Sequence, residues 1–276
     1  METGRNSLLM KTYRVIMPLL CLAIYACQIR NPYPGKDVCI LVVNARTGTT
    51  ENVWNEKRCR ERFPACSTFK VPLALMAFDS GILRDEKQTL QWDGQRRGID
   101  AWNRDHNAET WLRDSVVWFS QRLTPILTEP RIRKYLADFK YGNENIAAGL
   151  TDAWLKAPDD PQGALAISAY EQTDFWRRLF DDRLPVAARA ANLTRQLTYL
   201  ETSPRGYTLS GKTGSNTYEA DKNRRFGWFV GYLARGSEEY AIAANFSDLT
   251  ATAEKAFGGK QAREIVKAYL LENGLW

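Results

Sequence analysis

The chain predicts an α+β fold in which an antiparallel sheet, flanked by N- and C-terminal helices, carries an inserted all-helical region. Three observations predict it. Strand-like runs rich in β-branched and aromatic residues lie near the two ends of the chain. Between about residues 81 and 204 the apolar residues recur at helical spacing, with no convincing strand. No linker, repeat or low-complexity tract separates these parts, so strands far apart in sequence must pair within one sheet. With 276 residues, the chain is long enough to bury a sizeable core.

The elements follow in order. Arg5, Lys11 and Arg14 precede the apolar run from Val15 to Ala26, and the sequence then turns polar at Asn31-Pro32-Tyr33-Pro34-Gly35. A basic segment, a short apolar core and a small residue form an export signal, too short for a comfortable membrane span. Cleavage is expected near Ala26, giving a signal peptide over 1–26 and one catalytic-type domain over 27–276. Cys27 raises lipoprotein processing as the alternative, against which Tyr25 is bulky. Nothing later is apolar enough to span a bilayer, so a periplasmic protein is expected. The domain's sheet parts are expected over about 37–80 and 205–276, and its helical part over about 81–204.

A strand is expected from Asp37 to Asn44, then a turn and a second strand near Asn52 to Asn55, forming a hairpin. A helix carrying Lys70 should end at Ser80-Gly81. Helical periodicity marks Thr110–Arg122, Pro130–Phe139, Ile167–Phe180 and Pro185–Leu200. Strands return at Tyr207–Lys212, Phe226–Ala234 and Glu239–Phe246, and an amphipathic helix from Ala253 to Glu272 closes the chain.

Composition narrows the chemistry. The formal charge is +6, but acidic and basic residues are interspersed and no basic run stands apart, so no nucleic-acid footprint is evident. The single histidine, His106, lies in a polar loop-like stretch and reads as a surface residue. A Ser-His-Asp triad and a multi-histidine zinc site are therefore both disfavoured, and no metal is expected. Of the mature cysteines, Cys59 and Cys66 could form a bridge, but a buried free thiol is the preferred reading for Cys66.

Ser67 and Lys70 stand three residues apart just before the helix formers Leu73 to Phe78. At a helix mouth this spacing brings the amine to the serine oxygen, and an amine beside a hydroxyl can act as the base that makes it a nucleophile. Three further stretches fall where the expected architecture brings them to the sheet edge: Ser115-Val116-Val117, Tyr141-Gly142-Asn143 and Lys212-Thr213-Gly214-Ser215. A Ser-x-x-Lys followed by a second serine motif and Lys-Thr-Gly is the signature of penicillin-recognising serine enzymes.

With Trp154 and the run Phe226-Gly227-Trp228-Phe229-Val230-Gly231-Tyr232, these motifs make the chain resemble the class D, oxacillinase-type serine β-lactamases. The Tyr-Gly-Asn turn and the Ser-x-Val form of the second motif point to class D; class A typically has Ser-Asp-Asn. The resemblance implies a β-lactamase/transpeptidase-like fold and hydrolysis of β-lactam antibiotics through an acyl-enzyme on Ser67. It implies that Lys70 is N-carboxylated by carbon dioxide, with Trp154 holding the carbamate, and that no separate cofactor is needed. Ser115 would relay a proton, with Lys212 beside it. Thr213 and Arg263 would bind the substrate carboxylate, while Val117, Gly214 and Ser215 would line the substrate site, the Ser215 N–H joining that of Ser67 as an oxyanion hole. Tyr141 and Asn143 would shape the site. The partners implied are small β-lactams, acting on a monomer or homodimer. A penicillin-sensing receptor domain and a peptidoglycan transpeptidase or carboxypeptidase share these motifs and are the alternatives.

Overall fold

The computed structural model describes Met1, residues 32–254 and residues 256–276. The expected signal peptide, Met1 aside, and Cys27 lie outside the described residues. The chain divides into two compact units, Met1–Pro32 and Tyr33–Trp276. Among the described residues, all regular secondary structure lies in the second, and no helix is long and apolar enough to cross a membrane.

Strand β1 (Lys36–Asn44) and β2 (Thr50–Trp54) form the expected hairpin. Then come α1 (Glu56–Arg60), the two-residue strand β3 (Phe63–Pro64), a 3-10 turn over Cys66–Phe69, and α2 (Lys70–Asp79). The helical region holds α3 (Ala108–Asp114), α4 (Val117–Leu127) and α5 (Glu129–Phe139). It continues with β4 (Ala166–Ile167), α6 (Ala169–Phe180) and α7 (Ala188–Thr198). The chain closes with β5 (Tyr199–Thr202), β6 (Thr208–Thr217), β7 (Arg225–Arg235), β8 (Glu238–Asp248) and α8 (Gly258–Glu272).

The main sheet runs in the order β2-β1-β8-β7-β6-β5 with every neighbouring pair antiparallel. β1 pairs with β8 along its whole length, from Lys36 opposite Asp248 to Asn44 opposite Tyr240, so the two ends of the domain close one sheet. Side chains alternate across a strand. Cys39, Leu41 and Val43 accordingly enter the large core shared with α2 and α6, while Val38, Ile40 and Val42 enter a smaller one with Ile265, Val266 and Leu270 of α8. Burial on both faces is why β1 reads as an unbroken apolar run. Helix α2 is buried from Lys70 to Phe78 and packs against α4 and α7. Its Pro72 falls in the first turn, where an N–H would lack a helical partner anyway.

Several boundaries depart from expectation for local reasons. The helix expected over Thr110–Arg122 is two helices, because Ser115 adopts a left-handed conformation (φ 57°) that ends α3. The segment expected to be helical over Pro185–Leu200 turns extended at Tyr199, where it becomes edge strand β5 on β6. Helix α6 begins after Ile167, which pairs with β3, and is capped by Ser168 and Glu171 in reciprocal hydrogen bonds. The last helix starts at Gly258. Its first turn sits directly on β6: a Cβ added to Gly259 would lie 2.6 Å from the Gly214 carbonyl oxygen and 2.8 Å from Thr213 Cβ.

The cysteines also differ. Cys59 bonds Cys39, fastening α1 to β1 across a separation of 20 residues, and leaves Cys66 as the buried free thiol. The bridge considered between Cys59 and Cys66 is thus not formed.

Candidate active site

The site begins at the 3-10 turn. Cys66, the first residue of this turn, is held at φ 49°, in the left-handed region, and the turn leads directly into α2. Thr68 fixes the turn by donating its hydroxyl to the Ala65 carbonyl (2.6 Å) and accepting from Gln172 Nε2 of α6 (2.9 Å). Trp228 of β7 reaches across to donate to the Pro64 carbonyl at 3.0 Å. The backbone before and within the turn is therefore held from two sides.

One turn later Lys70 Nζ lies 2.9 Å from Ser67 Oγ, the contact that the three-residue spacing implies. Ser67 keeps 9 % of its surface, whereas Lys70 is fully buried. Burial, and then the nearby Lys212 charge, hold the Lys70 pKa well below its ordinary value, favouring the neutral amine. The neighbouring Cys66 thiol is pushed up by burial to about 12, so it stays protonated and is a poor nucleophile.

A second serine–lysine pair joins the helical region to the sheet. The left-handed Ser115 at the end of α3 turns its hydroxyl toward β6, where Lys212 Nζ donates to Ser115 Oγ and to the Thr213 carbonyl, each at 3.0 Å. Burial lowers the Lys212 pKa to about 7. Thr213 and Ser215 face the cavity beside it, and Ser215 Oγ accepts the Gly259 N–H of α8 at 2.9 Å. Gly214 lies against the turn: a Cβ there would stand 3.0 Å from Cys66 Cβ.

The segment after α5 packs on the 3-10 turn through Tyr141 and Phe69. Gly142 has φ +60°, and a Cβ on it would fall 2.1 Å from the Ala166 carbonyl oxygen, so only glycine fits. Asn143 ties this turn to β4: its Nδ2 donates to the Ala164 carbonyl (2.9 Å), and its Oδ1 accepts the Ala166 N–H (3.0 Å). Tyr141 packs on Phe69 and Phe175, and Trp154 also packs on Phe69, with ring centroids 5.2 Å apart. Trp154 is 1 % exposed, and its Nε1 has no hydrogen-bond partner among the described residues. Asn216 Nδ2 clasps the segment to the end of β6 through the Leu155 and Lys156 carbonyls (2.9 and 2.8 Å).

A cavity of about 720 Å³ opens over Ser67 and Ser115. Ile99, Trp102, Val117 and Leu155 form an apolar side, and the start of α8 contributes Lys260, Arg263 and Glu264. Arg263 lies on the wall as expected, but its guanidinium pairs with the Glu201 carboxylate of β5. Lys260, which sequence reasoning passed over, lines the same wall, and its ammonium has no ion pair among the described residues. Its place in the first turn of a helix facing the motif strand was the available signal.

His106 is not the surface residue expected. It is 1 % exposed, with Nε2 3.0 Å from the Ala101 carbonyl and Nδ1 3.0 Å from Thr110 Oγ1. It braces the loop before α3 and takes no part in the serine–lysine pairs.

Comparison with known proteins agrees with this geometry. The family described as the penicillin binding protein transpeptidase domain matches residues 30–271. The chain is 35% identical to β-lactamase OXA-1 of Escherichia coli, over 77% of this chain and 76% of that protein. It is 35% identical to β-lactamase OXA-48 of Klebsiella pneumoniae, over 81% and 79% respectively. The solved structure of the class D β-lactamase BAT-2 superposes with a TM-score of 0.75 at 32% identity, covering 87% of this chain and 93% of that one. The chain belongs to the class D β-lactamases. The expected transpeptidase-like α+β fold is that of this family. In this class D enzyme Ser67, Ser115, Thr213 and Ser215 line one cavity, whereas the Tyr-Gly-Asn turn is not among its lining residues and is tied instead to β4.

The residues below Ser67 also suit a carboxylated lysine. A neutral amine is the form that reacts with carbon dioxide, and burial favours that form at Lys70. An anion there would need a buried donor, and the indole N–H of Trp154, packed on the adjacent Phe69, is one without a partner among the described residues.

Proposed function

We propose that the chain hydrolyses the β-lactam ring of penicillins and related antibiotics through an acyl-enzyme on Ser67. The observation that carries this reading is the 2.9 Å contact between Ser67 Oγ and the fully buried Lys70 Nζ. Lys70 is positioned to take the Ser67 proton as Oγ attacks the lactam carbonyl carbon. The Ser67 and Ser215 backbone N–H groups would stabilise the oxyanion, a contribution whose loss typically costs about 10²–10³ in rate. Ser115, hydrogen-bonded to Lys212, would pass a proton to the departing lactam nitrogen. Thr213 would help hold the substrate carboxylate, with a cationic side chain at the start of α8.

Bound at Lys70 as a carbamate, carbon dioxide would supply an anionic oxygen base for both acylation and deacylation. Trp154 would hold it through Nε1. Tyr141, packed on Phe69, and Asn143, tied to β4, would shape the site and move no proton. The signal-like sequence expected over 1–26 and the Cys39–Cys59 bond support a periplasmic, oxidising location.

The test is steady-state hydrolysis of a penicillin panel with and without bicarbonate. Multiple turnovers, with activity lost on degassing at low pH and regained with bicarbonate, are expected. A stable acyl-enzyme by mass spectrometry without turnover would favour the sensor or transpeptidase reading, and a bicarbonate-insensitive enzyme would remove the carbamate. Because a hydrogen bond to a charged group is worth about 1.5–3 kcal/mol, Trp154→Phe should need about 10–100 times more bicarbonate.

A further inference from the structure

Charge is unevenly distributed among the elements that line the cavity. Its cations, Lys222, Arg225, Lys260 and Arg263, all come from the chain after β6, as do Glu254, which is ion-paired with Arg225, and Glu264. The helical region contributes a single charged lining residue, Asp114, the last residue of α3. A carboxylate at that end of a helix opposes the macrodipole. Two arginines hold it there. Asp114 Oδ1 accepts from Arg113 Nε at 2.9 Å, and Oδ2 accepts from Arg113 Nη2 and Arg104 Nη2, each at 3.0 Å. The bonds from Arg113, and then Arg104, hold the carboxyl below its ordinary range, so it is ionised. Three bonds leave part of a carboxylate's acceptor capacity free. Neither arginine lines the cavity, and at 54% and 63% exposed they are screened by water more than Asp114, at 16%. Trp102, another lining residue, donates its Nε1 to the Asp114 backbone carbonyl at 2.9 Å, so an indole stands beside the carboxylate. An organic cation at such a place gains Coulomb attraction from one and cation–π attraction from the other.

We infer that Asp114, with Trp102 beside it, is a specificity-determining residue that favours β-lactams carrying a cationic substituent on the ring fused to the lactam. The inference rests on the β-lactamase reading above and names a substrate class within it. The position of Asp114 selects the arm of the substrate. It directly precedes Ser115, the serine assigned to protonate the lactam nitrogen, and that nitrogen belongs to the fused ring as well as to the lactam. The acylamino side chain is borne by the carbon on the other side of the lactam carbonyl.

The test uses two cephalosporins with the same thienylacetamido side chain: cephaloridine, with a pyridinium on its 3-methylene, and cephalothin, with an acetoxy group there. Their leaving groups differ, so the readout is the change in their kcat/KM ratio on substitution, or in their ratio of Ki against nitrocefin where turnover is slow. Asp114→Asn should lower the preference for cephaloridine about fivefold, mainly through KM, the upper range for a solvent-accessible charge pair. Added salt should erode the preference in the wild type and leave Asp114→Asn unmoved. Arg104→Gln and Arg113→Gln, which remove the competing cations, should each raise it. A carboxylate that merely braces the loop before α3 would affect both cephalosporins alike, and that result overturns the inference. So does a salt-independent wild-type ratio, or an effect of Asp114→Asn confined to ampicillin against benzylpenicillin, which differ by an ammonium on the acyl side. Should Asp114→Asn not fold, the two arginine variants decide, and an unchanged or lowered preference in both overturns the proposal. A wild type that hydrolyses neither cephalosporin nor benzylpenicillin would instead sink the β-lactamase reading, and this inference with it.

Discussion

Ser67 and Lys70 meet across one helical turn, whereas Ser115 and Lys212 meet across 97 residues, one from the helical region and the other from the sheet. The contacts are nearly equal, at 2.9 and 3.0 Å. Their foundations are not. The first pair is imposed by covalent spacing and a helix buried on every side. The second exists only while the Ser115 turn that ends α3 lies beside β6. Their lysines differ as well: Lys70 is depressed by burial and by its charged neighbour, Lys212 by burial alone. A fold can thus make a reactive serine locally, but it needs two parts of the molecule in register to supply the proton's destination.

The comparison can be broken most sharply at the two serines. Ser67→Ala should remove covalent labelling by penicillin and lower nitrocefin turnover by roughly 10⁴-fold or more, since nothing replaces the attacking oxygen. Ser115→Ala should retain labelling and cost about 10²–10³ in rate, within the roughly 10²–10⁴ typical of a positioned proton-transfer group. Equal losses from the two variants would contradict the division of labour.

The next contrast is between activity and stability at Lys70. Lys70→Met should abolish efficient turnover yet raise Tm, because a buried amine stripped of water is replaced by an apolar chain of similar length. A lower Tm measured by thermal unfolding would show that the amine is stabilising where it stands.

Lys212 gives a pH signature. Its folded pKa of about 7 lies below that of an unfolded lysine, about 10.4, so the unfolded chain binds more protons between those values. Stability from this group therefore rises with pH across that window, and the rise should shrink in Lys212→Met in denaturant titrations. For an anionic substrate, kcat/KM should fall as pH passes above about 7 and the cation is lost. Lys212→Arg, which stays charged, should lack that limb.

The smallest effect on turnover is expected at the disulfide. Cys59→Ser should lower stability by about 3 kcal/mol while leaving kcat near the wild-type value, because the bond closes a loop remote from the cavity. A large loss of kcat would mean that α1 positions the 3-10 turn.

The same contrast explains what could be read before the structure. Ser67 and Lys70 were legible because their geometry follows from spacing, and β1 because burial on both faces leaves an unbroken apolar run. The nature of the Ser115 break was not, since a left-handed serine has no periodic signature and the two helices it separates share one apolar rhythm. Strand β5 hid at the end of a helical pattern because an edge strand of four residues needs only β6 to form. The Cys39–Cys59 pairing was obscured by α1, too short to show amphipathicity. His106 looked exposed because its neighbours are polar; the structure buries it between a loop carbonyl, Ala101, and a hydroxyl of α3, Thr110. Arg263 sits where a carboxylate anchor is expected, but Glu201, which claims it, is far away in sequence.

The stacked contact of Cys66, Gly214 and Gly259 has a consequence for how such an enzyme can change under antibiotic pressure. A methyl group added at Gly259 would fall 2.6 Å from the Gly214 carbonyl oxygen and force β6 and α8 apart, and one at Gly214 would crowd Cys66 Cβ at 3.0 Å. Adaptation to bulkier drugs is thereby steered away from the centre and toward other cavity-lining side chains such as Ile99 and Leu155.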